Sequence, residues 1–327
     1  MAEQKYEMNT ALSVWQNSMT SLVVRDYKEN NVEFDEYSRE CAMSAMSNIY
    51  QTVIASGKDI NTFSRDGMYD VVKQCASLKL NANTIPKEVF FNVRTKKIGD
   101  SYMPTIELGT TVNANLSMLR HFGVNVDTVY DAWLVKEGDE FIYPKRKGLT
   151  VTDPEWTPCG KSLKTIRAVV PVKLKDGTVD YLIAERDSVK TNLIAHIKQN
   201  LLNETFGICA DRYKASDAQK KQIAEKKAEI LNPLIACQTL DEMLALESIR
   251  PYMSGAWSDT TESMIDTKLV GNAIRKRQKE LNPIATTSLV QIDETYKTAQ
   301  EETEENANTV PFESEVVIES TAKVVEE

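Results

Sequence analysis

Cys159-Gly160-Lys161-Ser162 carries the residue types of a phosphate-cradling loop. Such a loop needs a glycine five residues before Gly160, with a strand ahead of it and a helix behind. Glu155 stands at that position, Trp156 and Pro158 precede the triplet, and the residues that follow read as a strand. Nucleotide binding at this point is excluded. His121 and His196 each fall inside a predicted helix, and no spacing ties either to a serine or cysteine nucleophile. Glu107, Asp131 and Glu185 are acids on predicted strands without the pattern of a two-metal site. Cys41, Cys75, Cys159, Cys209 and Cys237 are odd in number and far apart, so they are expected to be reduced, mostly buried and not zinc ligands. Nothing in these residues demands an enzyme, and the expectation is a non-enzyme without a bound cofactor.

Positive charge is the more informative chemistry. Between Ile142 and Lys175 stand Lys145, Arg146, Lys147, Lys161, Lys164, Arg167, Lys173 and Lys175 against only Asp153 and Glu155. Such a surplus can follow a phosphate backbone, with Tyr143 and Trp156 available for base stacking. A solvated loop with snorkelling lysines is the competing reading. Arg94, Lys96 and Lys97 in a predicted hairpin loop, and the Arg275, Lys276, Arg277 and Lys279 cluster, would extend a basic track if the fold brings them together.

The elements that must position these residues follow from periodicity. Apolar spacings of three and four over Met8–Val23, Tyr37–Ile54 and Met68–Leu78 predict three opening amphipathic helices. Val89–Val93 and Pro104–Leu108 read as a hairpin, followed by a helix with Val112, Leu116, Leu119 and Phe122 on one face, stopped by Gly123. Strands over Val126–Val135 and Glu140–Tyr143 flank Glu137-Gly138-Asp139, and strands over Ile166–Leu174 and Thr178–Ala184 flank Asp176-Gly177. Asp187 is placed to cap a helix through Leu201. Helical sequence runs from Ala215 to Pro251, with Pro233 expected to end or kink it, and a last basic helix runs from about Asp259 to Glu280. The expected class is α+β: N-terminal helices, a core of β-hairpins with packed helices, a C-terminal basic helix and a disordered acidic tail.

The order of these elements resembles the RecT family of phage single-strand annealing proteins over roughly residues 65–280. The resemblance rests on Val71–Leu80, on Glu107-Leu108-Gly109 leading to Leu119-Arg120-His121-Phe122-Gly123, and on Val135–Glu140. Ala184-Glu185-Arg186-Asp187 and Trp257 before the helix of Met264–Lys276 complete it. Thr110-Thr111-Val112 stands where the family has Tyr-Lys-Gly, and the family's paired lysines fall at Asp266 and Thr267, with Lys268 the nearest cation. The resemblance implies ATP-independent binding of single-stranded DNA, annealing of complementary strands and assembly into rings or filaments in phage-type homologous recombination. It adds Arg120 and Lys268 to the candidate contacts, and is compatible with magnesium loosely bound with the DNA. Implied partners are single-stranded DNA, annealed duplex, further copies of the chain, a phage exonuclease and the host single-strand binding protein. The implied setting is the cytoplasm of a bacterial host, with a phage or prophage source. Residues 1–64 would serve protomer contacts, 65–280 annealing, and about 199–254 would be a helical insertion.

The net charge of −9 belongs to the end of the chain. Leu281–Glu327 holds eleven carboxylates against Lys297 and Lys323, which leaves the body neutral. Residues 281–327 are therefore expected to be a disordered acidic appendage that recruits partners or competes with DNA. No apolar run approaches a membrane span, and the first residues lack the apolar core of a secretory signal, so a cytoplasmic protein is expected. Two alternatives to annealing are a scaffolding protein and a metal-dependent nucleic-acid-processing enzyme.

Overall fold

A computed structural model describes residues 10–98, 101–148, 150–210 and 214–292. The fold is α+β. Helices α1 (Thr10–Glu29), α2 (Glu36–Ala55) and α3 (Arg65–Ser77) open the chain, as the periodicity predicts. Met19, Val23 and Tyr27 of α1 pack with Ala45, Met46, Ile49 and Val53 of α2 and with Met68, Val71, Val72 and Cys75 of α3. Each fully buried side chain of this size contributes roughly 1.5–3 kcal/mol. Asp35 caps α2 by accepting the Ser38 N–H at 2.7 Å, and Ser64 caps α3 through the Gly67 N–H at 3.2 Å. Ile54, expected inward, is 53% exposed, because the inward face of the helix runs through Met46, Ile49 and Val53.

Strands β1 (Val89–Ile98) and β2 (Ser101–Thr110) pair antiparallel, from Val89↔Thr110 to Ile98↔Ser101. The ladder continues past the apolar run, so Lys96 and Lys97 lie in a strand, opposite Met103 and Tyr102, and not in a loop. A ladder is held by backbone hydrogen bonds and tolerates polar residues where one side faces water. Thr111 then caps α4 (Val112–Phe122) by accepting the Asn113 N–H at 3.1 Å. This helix buries Ala114, Ser117, Met118 and Leu119, whereas Val112, Leu116 and Phe122 of the predicted face are only partly covered. Ala114 and Met118 enter the helical core, and on its other sides α4 meets the second sheet and the last long helix, so small residues fill the close contacts. At Gly123 a Cβ would lie 2.5 Å from the Leu119 carbonyl oxygen and from Val126 Cγ2, which leaves room for glycine alone.

The second sheet is antiparallel and centred on β9 (Thr165–Leu174). On one side β10 (Val179–Glu185) joins it through Asp176-Gly177, where Gly177 has φ +88° and Asp176 accepts the Thr178 N–H at 2.9 Å. Along its other side run β3 (Val126–Val129) and then β4 (Trp133–Lys136). The strands around Glu137-Gly138-Asp139 do not pair with each other. β4 pairs with β9, while β5 (Glu140–Ile142) pairs with β8 (Glu155–Thr157). Asp139 redirects the chain: its carboxylate accepts the Lys136 N–H (2.8 Å), the Cys159 N–H (2.8 Å) and the Trp156 indole N–H (3.0 Å). Between β5 and β8, β6 (Arg146–Lys147) and β7 (Thr150–Val151) form a two-residue ladder.

A 3-10 turn at Arg186–Val189 leads into α5 (Lys190–Leu201). Near the C-terminal end of the described chain, a short turn of helix at Gly255–Ser258 buries Trp257 and precedes a helix at Thr261–Arg275. Ile265, Leu269 and Ile274 of that helix are buried, as their spacing predicts, whereas Met264, expected on the same face, is only half-buried. It ends at Arg275, not Glu280, so Lys276, Arg277 and Lys279 lie beyond it. Residues 283–292 form one more helix, whose Ile284, Ala285 and Ile292 enter the N-terminal helical core and whose Ser288 hydroxyl accepts from Ser77 at 2.8 Å. The folded body therefore extends past the boundary expected at 280. From Asp293 onward the expected tail lies outside the described residues.

The described residues up to Asn192, together with those from Ser254, make one compact unit, and Leu193–Met253 make a second. The second contains α6 (Asp217–Ala236) and α7 (Leu240–Leu244), each opened by a capping box, Ser216 with Gln219 and Thr239 with Glu242. Pro233 does not end α6, which runs three residues further. Thr261–Arg275 is α9, Gly255–Ser258 is α8 and 283–292 is α10. Among the described residues no helix is long and apolar enough to cross a membrane.

Candidate nucleic-acid interface

The basic stretch of 142–175 is partly neutralised by carboxylates that folding brings from elsewhere. Lys164 pairs with Glu137 at 3.1 Å, Lys173 with Asp127 at 3.4 Å, and Arg146 with Asp180 at 3.8 Å. Exposed pairs of this kind contribute only about 0–1 kcal/mol to stability. They nevertheless offset charge that would otherwise face a phosphate. Lys145, Lys147, Lys161 and Lys175 are exposed and carry no ion pair with a described carboxylate.

Arg167 is not a free cation. Its guanidinium lies 4.6 Å from the centroids of both Phe141 and Tyr143, and its Nε is 3.3 Å from Glu185 Oε1. The Tyr143 hydroxyl donates to Glu185 at 2.6 Å, which fixes the ring while leaving the residue 46% exposed. Burial and the Glu185 carboxylate raise the Tyr143 phenol above its ordinary range. Trp133, Trp156 and Tyr181 form a second aromatic group, with the indoles stacked at 5.9 Å. Arg167 thus holds aromatic side chains in place near the exposed lysines.

Unpaired cations gather elsewhere. A cleft of about 340 Å³ opens between the N-terminus of α4 and one face of α9. From the first come Thr110, Thr111, Val112 and Asn115; from the second Thr267, Lys268, Gly271, Asn272, Ile274 and Arg275, with Asn192 and Lys279 completing the wall. Lys268, Gly271 and Arg275 follow the three-and-four spacing that puts residues on one helix face. Among the described residues no carboxylate lines the cleft, and none pairs with Lys268, Arg275 or Lys279. The N-terminus of α4 adds the positive end of a helix dipole, equivalent to roughly half a unit charge. Asn272 is locked by donating to the Ser188 carbonyl at 3.1 Å and to Asn192 Oδ1 at 2.9 Å. Burial lowers the Lys279 ammonium pKa, and an anion in the cleft would favour its charged form. Three cations, amide and hydroxyl donors and a helix N-terminus form a receptor for an anion such as a phosphodiester.

Of the residues proposed from sequence, Lys268 and Arg275 line this cleft. Arg94 pairs with Glu107 at 3.0 Å across the first hairpin, beside Lys96 and Lys97 on the same strand. Arg120 is exposed on α4 and Lys276 just past α9. None of the residues from 94–97 or 142–175 lines the cleft. Sequence reasoning missed Thr110, Thr111, Asn115, Asn192 and Asn272. A signal for part of this set was present: Thr110-Thr111-Val112 and Thr267-Lys268 belong to two of the places where the chain departs from the RecT pattern, and folding sets these residues at the cleft.

The other candidate groups have structural surroundings. Cys159-Gly160-Lys161-Ser162 leads into β9 and not a helix. His121 packs 4.9 Å from Tyr37, and burial, the largest cause, lowers its pKa. All five cysteines are free thiols, but only Cys41 and Cys75 are buried, and burial pushes Cys41 up to about 12. Among the described residues no group of three or more His, Cys, Asp and Glu is placed to hold a metal. Comparison with protein-family models, curated proteins and solved structures finds no match to the chain.

Proposed function

We propose that this chain binds single-stranded DNA and promotes the pairing of complementary strands without ATP, in the manner of the RecT family that its order of elements resembles. The observation that carries the reading is the cleft of Lys268, Arg275 and Lys279 at the N-terminus of α4, three cations with no carboxylate among the lining residues. Annealing needs a protein that neutralises the backbone and leaves bases free to pair, so that pairing itself supplies sequence specificity. The cleft supplies the first requirement. Exposed Lys145, Lys147, Lys161 and Lys175 supply further phosphate contacts, and the half-exposed Tyr143 ring, held by Glu185, supplies a stacking face. In this reading the chain works as a homo-oligomer on DNA in the cytoplasm of a bacterial host during phage recombination.

The test is ATP-free annealing of two complementary oligonucleotides, with binding to oligothymidylate measured between about 50 and 200 mM salt. Wild-type protein is expected to anneal faster than buffer. The K268Q/R275Q variant should flatten the logarithmic salt dependence by about 1.4, from about 0.7 per lost single-strand phosphate contact. Annealing no faster than buffer, together with oligothymidylate binding that ignores salt, overturns the proposal.

A further inference from the structure

We infer that Phe90 is a base-stacking platform beside the cleft of Lys268, Arg275 and Lys279, so that a strand held there by a phosphate lays a base on this ring. Resting on the single-strand reading above, this role adds the residue that takes the bases.

Phe90 lies on the outer side of its hairpin. β1 alternates, with Val89, Phe91 and Val93 packed toward the helical core and Phe90, Asn92 and Arg94 on the opposite side. The Phe90 ring is 44% exposed. Gly109 stands opposite it in the ladder, and a Cβ there would lie 2.2 Å from Cε2 and from Cζ of the ring. The ring therefore fills the space that any other side chain at 109 would need. Gly109 is buried although it shares the outer side, because the ring covers it. One side of the ring is seated on the backbone, which leaves the other to water.

Register puts this ring next to the cleft. Thr111 has φ −104° and ψ 177°, so the chain is still extended there, and Gly109 and Thr111 point to the same side about 7 Å apart. Thr111 lines the cleft. Its N–H donates to the Glu88 carbonyl at 2.9 Å and its hydroxyl to the Lys87 carbonyl at 2.7 Å, which ties this edge of the cleft to the residues leading into Phe90. A stacked strand carries one phosphate per about 3.4 Å, so the separation is about two nucleotides. A phosphate at the cations thus brings a nearby base to the ring. Stacking takes the face of a base whatever its identity and leaves its pairing edge free, as annealing requires. Covering a glycine explains the seat of the ring but not its place beside three cations.

The two roles separate in titrations of full-length wild type, F90A and F90W with oligothymidylate and with an abasic strand of the same length, which keeps the phosphates and lacks the bases. F90A should bind oligothymidylate about 5–140-fold more weakly than wild type, the loss of one stacked base. It should bind the abasic strand as wild type does, with an unchanged logarithmic salt dependence, because no phosphate contact is removed. F90W should restore the affinity for oligothymidylate. Its added indole emission, taken as the difference from wild type, should be quenched by oligothymidylate and not by the abasic strand. Equal losses for the two strands in F90A, or unchanged affinity for oligothymidylate, overturns the stacking role and leaves the single-strand reading standing. Wild-type protein that binds neither strand overturns both.

Discussion

Arg186 holds Glu262 through two parallel hydrogen bonds, Nη2 to Oε1 at 2.7 Å and Nη1 to Oε2 at 2.9 Å. The same carboxylate accepts the Thr165 N–H at 3.0 Å, and Arg186 also donates to the Thr165 carbonyl at 2.8 Å. Lys136 donates to the Thr165 hydroxyl, which donates to Asp266. The first two turns of α9 are thereby pinned to the start of β9 and the end of β4, which sets the axial position of the helix that carries Lys268 and Arg275.

Glu262→Gln removes the carboxylate charge that Arg186, whose side chain is 10% exposed, meets at 2.7 Å. Removing one partner of a fully buried pair costs about 3–5 kcal/mol, and the exposure remaining at Glu262 lowers the expectation to about 2–3 kcal/mol by denaturant unfolding. Burial by itself would raise the Glu262 pKa, but the hydrogen bonds from Arg186 and Thr165 and the charges of Arg186 and Lys136 outweigh it and hold the carboxyl below its ordinary range. The stabilisation is therefore complete above the unfolded carboxyl pKa of about 4.3 and is lost as pH falls through the lower folded value. Unfolding followed from neutral pH into acid should show this loss in the wild type and a flatter profile in E262Q. Equal profiles would refute the assignment.

Asp139 gives a second acid titration at a different place. Hydrogen bonds from the Cys159 N–H, the Lys136 N–H and the Trp156 indole hold its carboxyl down at about 2. The turn it organises is intact above the ordinary carboxyl range and loosens as pH falls through that value. Trp156 emission, taken as the difference between wild type and W156F, should change with a midpoint near 2 and be constant over that range in D139N. A midpoint in the ordinary carboxylate range would show that the three hydrogen bonds do not form in solution.

Two truncations separate the folded body from the acidic segment. Ending the chain after Ile292 keeps α10 and should leave the thermal midpoint unchanged. Ending it after Glu280 removes the buried Ile284 and Ile292 and leaves Ser77 without Ser288. At roughly 1.5–3 kcal/mol for each of these two buried isoleucines, the shorter chain should lose about 3–6 kcal/mol. Equal stability of the two would contradict the packing of α10.

The opening helices were legible because an apolar stripe at helical spacing has one use in a folded chain, and Val71, Val72 and Cys75 are buried where their spacing puts them. The Asp176-Gly177 hairpin was legible for a local reason, a glycine at φ +88° between two strands that reach each other directly. Glu137-Gly138-Asp139 has much the same local character and fails to make a hairpin. Its outcome depends on Trp156 and Cys159, which are distant in sequence, and a strand's alternation reveals its faces without naming its partner. The predicted face of α4 was displaced for a related reason, since the helix packs on more than one side.

Charge shows the same division. The count of lysines and arginines from 145 to 175 and of carboxylates after 292 follows from residue identity alone. Which charges stay available does not. Lys164 and Lys173 meet Glu137 and Asp127 through the pairing of β9 with β4 and β3, and Arg146 meets Asp180 of β10, while among the described residues that line the cleft Lys268, Arg275 and Lys279 meet no carboxylate. By itself the sequence determined the helices, the local turns, the unsuitability of Cys159–Ser162 as a phosphate loop and the separation of a neutral body from an acidic end. Tertiary structure alone decided the strand partners, the inclusion of 283–292 in the core and the gathering of cations at α4 and α9. The physical reason is that periodicity and composition act over a few neighbouring residues, whereas pairing and desolvation depend on which distant groups folding brings within a few ångströms.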